Sequence, residues 1–246
     1  MKLNLNWKCI SRYQKLSEPF RISKGNPSET VGFLEKYNEK LDWDLISHYQ
    51  KLSEPFIEKY GQKLNWKLVN KFQKLTESFI EKYSYKLDWR DISAYQKLSE
   101  SFMEKYSENI DWECISIYQK LSEPFIEKHN DKVAWVYISI NQKLSESFME
   151  KYSEKLNWEY ISEFQRLSES FIEKHSDKLY WYYISIYQKL SEPFIEKYKD
   201  KVRWDCISYY KKMSESFMEK YKHKIVWYYI GKNQELSEPF RKKYKK

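Results

Sequence analysis

The sequence predicts an all-α solenoid of about ten two-helix repeats. Of its ten tryptophans, the last nine stand in perfect register: Trp43, Trp66, Trp89, Trp112, Trp135, Trp158, Trp181, Trp204 and Trp227, each 23 residues after the one before. Trp7 precedes Trp43 by 36 residues, one repeat plus a 13-residue insertion. With tryptophan as position 1, the consensus reads W-x-x-I-S-x-Y-Q-K-L-S-E-(P/S)-F-I-E-K-Y-x-x-K-L-(N/D), with Glu at position 12 and Phe at position 14 in every repeat and Gln at position 8 in all but one. A fixed period of this length marks a stacked array in which each repeat meets nearly the same neighbours. Only 4 glycines and 6 prolines stand among 19% aromatic residues, which is not the composition of a linker or a disordered chain.

Each repeat carries two helix starts. Asn or Asp precedes the tryptophan in six repeats (Asn6, Asp42, Asn65, Asp88, Asp111, Asn157), where its side chain can cap a free backbone N–H. The residue before it, such as Leu41, then pairs with Ile46 as a hydrophobic staple. The second start is Ser or Thr at position 11, as at Ser53, with Leu52 and Ile57 as the staple and Glu54 in the first turn, where the helix dipole favours a carboxylate. Proline at position 13 (Pro19, Pro55, Pro124, Pro193, Pro239) is tolerated only in such a first turn. Where serine replaces it, Ser78 with Glu81 suggests a capping box.

Trp, Ile and Gln at positions 1, 4 and 8 line one face of the first helix, flanked by the aromatic at position 7 and the leucine at position 10. Phe, Ile or Met, Tyr and Leu at 14, 15, 18 and 22 line the second. About ten and about eight residues of helix fit within the period. Helices this short are marginal alone and depend on stacking.

The expected organisation is one array over residues 1–246, with a loop insertion at 21–33 and a basic C-terminal tail at 241–246. At a helix packing distance of about 9 Å, ten layers span roughly 90 Å. Arg241 replaces the apolar residue of position 15 in the last repeat, as a polar end cap would. The insertion holds Gly25, Pro27 and Gly32 and no apolar periodicity, so a protruding loop is expected. No run of about 18 apolar residues occurs, and the first repeat begins too early for a secretory leader. Cys9, Cys114 and Cys206 share position 3 several layers apart, an odd number of thiols acting as small hydrophobes rather than a disulfide framework. These features point to an intracellular protein.

The motif W-x-x-I-S-x-Y-Q-K-L-S-E-x-F-I-E-K, as at residues 112–128 and 181–197, resembles the tandem tryptophan-containing repeats of uncharacterised proteins of giant DNA viruses. The resemblance covers essentially the whole chain apart from the insertion. It implies a viral origin and a setting in the host cytoplasm or the virion, and brings no activity with it.

Catalytic, metal and cofactor residues are not expected. The glutamates of position 12 recur once per layer at a helix start, where the dipole already accounts for them. The position 8 glutamines lie on the apolar side and are expected to bond neighbouring backbone, because a buried unpaired amide costs about 1–3 kcal/mol. His129 and His175 stand two layers apart, too far for one zinc, and His48 and His223 are isolated. No phosphate-loop, dinucleotide or zincin motif occurs.

The net charge of +8 includes five from Arg241, Lys242, Lys243, Lys245 and Lys246, so residues 1–240 carry only +3. The recurring lysines and glutamates read first as a solvated surface of ion pairs. Positions 2, 3 and 6 vary while the core stays fixed, and in the second half they become aromatic and aliphatic: Val136, Tyr137, Ile140, Tyr160, Tyr182, Tyr183, Ile186, Tyr209, Tyr228 and Tyr229. That is the composition of a protein interface, although packing against an adjacent helix would draw on the same residues. The leading expectation is therefore a non-enzymatic scaffold for a protein partner. One alternative is a nucleic-acid-binding rod using a stripe at position 9 (Lys15, Lys51, Lys74, Lys97, Lys120, Lys143, Arg166, Lys189, Lys212) together with the basic tail. Another is a self-assembling structural protein.

Overall fold

The structure, a computed structural model, describes residues 6–13 and 37–244. The insertion 21–33, Lys15, Lys245 and Lys246 lie outside the described residues. The chain forms two compact bodies, Met1–Leu121 and Ser122–Lys246. Each is an all-α solenoid, with no strand among the described residues.

Each repeat from Trp43 onward contains two helices, and the first helix of the repeat at Trp7 is described. In the N-terminal body the first helices are Trp7–Tyr13, Trp43–Tyr49, Trp66–Phe72, Trp89–Tyr95 and Trp112–Tyr118, and in the C-terminal body they run from Trp135–Asn141 to Trp227–Asn233. Each has seven residues and stops where Gln or Lys at position 8 turns extended. The second helices, such as Glu77–Lys82 and Glu169–Lys174, have six or seven residues. Both are shorter than the ten and eight expected, because a 23-residue period must also hold two extended turns.

Most caps form as the sequence predicts, although Ser53 makes no side-chain cap hydrogen bond. Asp42 accepts from the Leu45 N–H and Asn157 from the Tyr160 N–H, while Thr76 and Ser168 accept from the N–H groups of Phe79 and Phe171. Ala134, Tyr180, Arg203 and Val226 stand at the same place without a side-chain cap. Ser78 forms no capping box with Glu81; its hydroxyl shares a hydrogen bond with Thr76.

Within each body the first helix of one repeat packs directly on the first helix of the next. Isoleucine at position 4 and Ile or Met at position 15 are fully or almost fully buried, as Ile92, Met103, Ile161 and Ile172 show, and Phe102 and Phe171 lie beside them. The tryptophan forms an aromatic cluster within its own repeat: Trp158 stands 6.2 Å from Phe171 and 5.1 Å from His175 between ring centroids. Its indole N–H donates to Ser153 O of the preceding layer at 2.8 Å.

Three polar ladders lock the layers in register. Gln73 Nε2 donates to the carbonyls of Ser47 and Gln50, both at 2.8 Å, and its Oε1 accepts from the Leu52 N–H at 2.9 Å. One buried amide thus satisfies three backbone groups at the end of the preceding helix, which would otherwise be orphaned. Ser47 donates to Trp43 O at 2.7 Å and accepts from the Asn65 N–H of the next layer at 3.0 Å. Asn70 takes both roles at its position, donating to Trp66 O and accepting from the Asp88 N–H, each at 3.0 Å. Glu54 Oε1 accepts from the Thr76 N–H at 2.6 Å, and Glu169 holds both the N–H and the hydroxyl of Ser191. The first two layers join in the same way across the insertion, since Ser11 accepts from the Asp42 N–H and Gln50 donates to Ser11 O.

In the repeat at Trp227, Gly231 replaces the linking serine and Arg241 occupies the position 15 slot. The segment expected as a tail is helical as far as Tyr244, which stacks on Trp227 at 4.0 Å and donates its hydroxyl to Glu219.

Candidate binding surfaces

Repetition consumes most of the recurring polar side chains. Lysines of position 17 pair with the glutamate of position 16 one layer back, as in Lys82–Glu58 and Lys174–Glu150, at 2.8 and 2.7 Å. Several lysines of position 21 pair with the acid of position 20 one layer back, as in Lys178–Glu154 and Lys201–Asp177, at 2.8 and 3.1 Å, whereas Lys155 bonds Asn130. They also lie over the tryptophans, Lys178 5.5 Å from the Trp158 ring. The partnered lysine holds the carboxyls of Glu81 and Glu150 below the usual range.

The cations of position 9 differ. Lys51, Lys74, Lys97 and Lys120 in the N-terminal body, and Lys143, Arg166, Lys189 and Lys212 in the C-terminal body, are exposed and make no ion pair or side-chain hydrogen bond among the described residues. The other cations of the alternative nucleic-acid set are not all free. Lys242 and Lys243 pair with Glu238 and Glu219, and Arg241 reaches the Leu236 carbonyl at 3.4 Å.

The aromatic residues of position 7 do not flank the core as the sequence suggests. Exposure runs from 42% at Tyr49 to 68% at Tyr13, and Phe72, Tyr95, Tyr118, Phe164, Tyr187 and Tyr210 lie between. Tyr95, Tyr118 and Phe164 share grooves with the position 9 cations Lys97, Lys120 and Arg166. Two open grooves run between neighbouring layers at this edge: Tyr95, Lys97, Tyr118 and Lys120 help line one of about 360 Å³, and Lys143, Phe164 and Arg166 help line one of about 420 Å³.

All ten residues expected to contact a partner lie in the C-terminal body. Val136, Tyr182, Tyr209 and Tyr228 are exposed, whereas Tyr137, Ile140, Tyr160, Tyr183, Ile186 and Tyr229 are partly buried. The last layers bring several together. Tyr209 lies 5.1 Å from Tyr229, Tyr228 5.6 Å from Tyr229, and Tyr182 5.4 Å from Tyr183. Tyr187 and Tyr210, missed from the sequence because position 7 was assigned to the core edge, extend the cluster: Tyr183–Tyr187 is 6.3 Å and Tyr209–Tyr210 is 4.6 Å. Asp205, Cys206, Tyr209, Tyr210 and Tyr229 line a shallow depression of about 210 Å³.

One ladder position is altered. Lys211 replaces the glutamine, and its Nζ donates to the carbonyls of Ile186 and Gln188 at 2.9 and 2.5 Å. An ammonium has no acceptor for the N–H of Leu190, which the glutamine oxygen would hold. Burial pushes the Lys211 amine below its ordinary value.

The cysteines are unpaired, and burial raises the thiols of Cys114 and Cys206. Among the described residues no group of His, Cys, Asp or Glu converges as a metal site, and no helix is long and apolar enough to cross a membrane. Comparison of the chain with protein-family models, curated proteins and solved structures finds no match.

Proposed function

We propose that the chain is a non-enzymatic scaffold that captures a protein partner through the tyrosine face of its C-terminal body. The observation that carries this reading is the clustering of Tyr182, Tyr187, Tyr209, Tyr210, Tyr228 and Tyr229 across successive layers, with Tyr182, Tyr209 and Tyr228 exposed at 49%, 45% and 65%. Tyrosine offers a large rigid contact area with a polar tip, at low entropic cost, and anchors many protein interfaces. The recurring Gln, Ser and Glu side chains bond adjacent layers, so the polar groups repeated down the chain are spent on the stack. The setting we propose is intracellular, the host cytoplasm or the virion if the source is viral.

The test compares the full chain with a Tyr182→Ser, Tyr209→Ser, Tyr228→Ser variant in affinity capture from host-cell extract, followed by calorimetry on the purified partner. The expected result is a partner whose affinity falls at least about tenfold in the variant, as loss of interface anchors implies, while the helical circular dichroism is unchanged. Partners held with equal affinity by both forms would overturn this assignment.

A further inference from the structure

We propose that the N-terminal body carries a lane for single-stranded nucleic acid, in which Tyr49, Phe72, Tyr95 and Tyr118 present stacking faces and Lys51, Lys74, Lys97 and Lys120 hold phosphates. This surface lies on a different body from the tyrosine face, and its argument is independent of that reading.

Three observations converge on it. Lysines of position 17 are neutralised by acids of the preceding layer, as Lys82–Glu58 and Lys105–Glu81 show, and Lys63 of position 21 pairs with Glu39, whereas the four of position 9 make no ion pair among the described residues. A row of unspent cations, one per layer, binds a polyanion by releasing its counterions. Two residues before each lysine stands an aromatic residue exposed at 42–59%, which leaves π surface for bases, and Tyr95, Lys97, Tyr118 and Lys120 line one groove.

The rings are also backed from the preceding layer. Arg12 lies 4.2 Å from the Tyr49 centroid, His48 stacks on Phe72 at 3.9 Å, and Lys71 stands 5.7 Å from the Tyr95 ring. Arg12 adds basic charge along this edge, whereas Lys71 is paired with Asp91 at 3.4 Å, and Tyr49 also stacks on His48 at 4.1 Å.

Among the described residues no carboxylate pairs with the four lysines of position 9. Positions 6, 7 and 9 of the N-terminal body hold no Asp or Glu. The nearby Glu54 and Glu77 are committed to the N–H groups of Thr76 and Ser99, at 2.6 and 2.5 Å. The corresponding edge of the C-terminal body is interrupted, with Asn141 in place of an aromatic and Glu163 at position 6.

Stacked helical repeats can present a strand one base per repeat, and the packing distance of about 8–10 Å between helices suits an extended single strand. A duplex keeps its base faces inside its own stack and would leave the rings unused. An acidic polypeptide would meet the lysines but bring no π surface to the four rings.

The experiment is fluorescence anisotropy of the full chain with labelled oligo(U) and oligo(dT) at about 50 and about 200 mM salt, a range over which phosphate contacts change affinity strongly. The lane predicts saturable, salt-sensitive binding. Lys74→Gln, Lys97→Gln and Lys120→Gln together should lower the salt slope by about 2, since each single-strand phosphate contributes about 0.7. Tyr95→Leu with Tyr118→Leu should weaken binding about tenfold or more while leaving the slope nearly unchanged. The triple serine variant of the tyrosine face should bind as the wild type does, so failure here and failure of the partner surface are separately visible. Circular dichroism and melting of each variant confirm that the stack is intact. No saturable binding at low salt would overturn the proposal. So would an undiminished slope in the lysine variant, which would place the contacts on the C-terminal basic residues, or poly-glutamate bound as tightly by wild type and leucine variant alike, which would point to an acidic protein.

Discussion

Replacing Gln165 by leucine removes one rung of the amide ladder and leaves three backbone groups without partners. Gln165 is 6% exposed; its Nε2 donates to Ser139 O and Gln142 O at 3.0 and 2.7 Å, and its Oε1 accepts from the Leu144 N–H at 3.1 Å. Each buried group left unmade costs about 1–3 kcal/mol, so the loss should be at least about 3 kcal/mol, even though leucine fills most of the volume. Gln165→Lys provides an internal control, because Lys211 shows how an ammonium fits the slot: it keeps the bond to the position 8 carbonyl, moves the other from the position 5 carbonyl to that of position 6, Ile186, and leaves the N–H without an acceptor. Its cost should fall to about 1–3 kcal/mol. Conversely, Lys211→Gln should stabilise the chain by about 1 kcal/mol or more, by supplying an acceptor for Leu190 and removing a buried charge. Urea unfolding followed at the helical dichroism band measures the series. Hydrogen exchange at the Leu144 amide localises it, since an array need not unfold in one step. A leucine variant within about 0.5 kcal/mol of wild type, the range of an ordinary surface substitution, with unchanged exchange at Leu144, would refute the reasoning.

Two further outcomes follow from the same contacts. Trp158→Ala should cost about 3–5 kcal/mol, because it opens a cavity beside Phe171 and His175 and removes the bond to Ser153; Lys151→Ala, which breaks only an exposed pair with Glu127, should cost less than about 1 kcal/mol in the same unfolding assay. Stability should also respond to pH at both ends of a titration. The Glu81, Glu150 and Glu196 carboxyls are lowered by Lys105, Lys174 and Lys220, so their contribution is present above the ordinary carboxylate value of about 4.3 and is lost as pH falls through their native values. Lys211 gives a slope of the same sign in the alkaline range: between its lowered native value and about 10.4 the unfolded chain holds a proton the folded chain has released, so the contribution of this group rises with pH. That alkaline gain should vanish in Lys211→Gln, and a gain of equal size in the variant would assign it to other groups.

The sequence by itself determined the repeat, its helix starts and its class. A period of 23 with caps at two fixed places is local information: Asp42 caps Leu45 and Thr76 caps Phe79, each three residues away. The buried stripe was legible for the same reason, since Ile92 and Met103 recur at helical spacing. The roles of the glutamates were not legible. Glu54 in a first turn is explained by the dipole alone, and its bond to Thr76, 22 residues on, exists only once two layers meet. The exposed edge of the first helix is not legible in the sequence for a geometric reason. Position 7 lies about 100° around the helix from the centre of the apolar stripe, where local periodicity cannot distinguish core from surface. Only the offset between layers decides whether a neighbour covers it, and here that offset leaves Tyr95 and Tyr118 exposed beside unpaired lysines. The same offset sorts the lysines: those of position 17 and several of position 21 come within reach of an acid one layer back and those of position 9 do not, although all three look alike in the repeat.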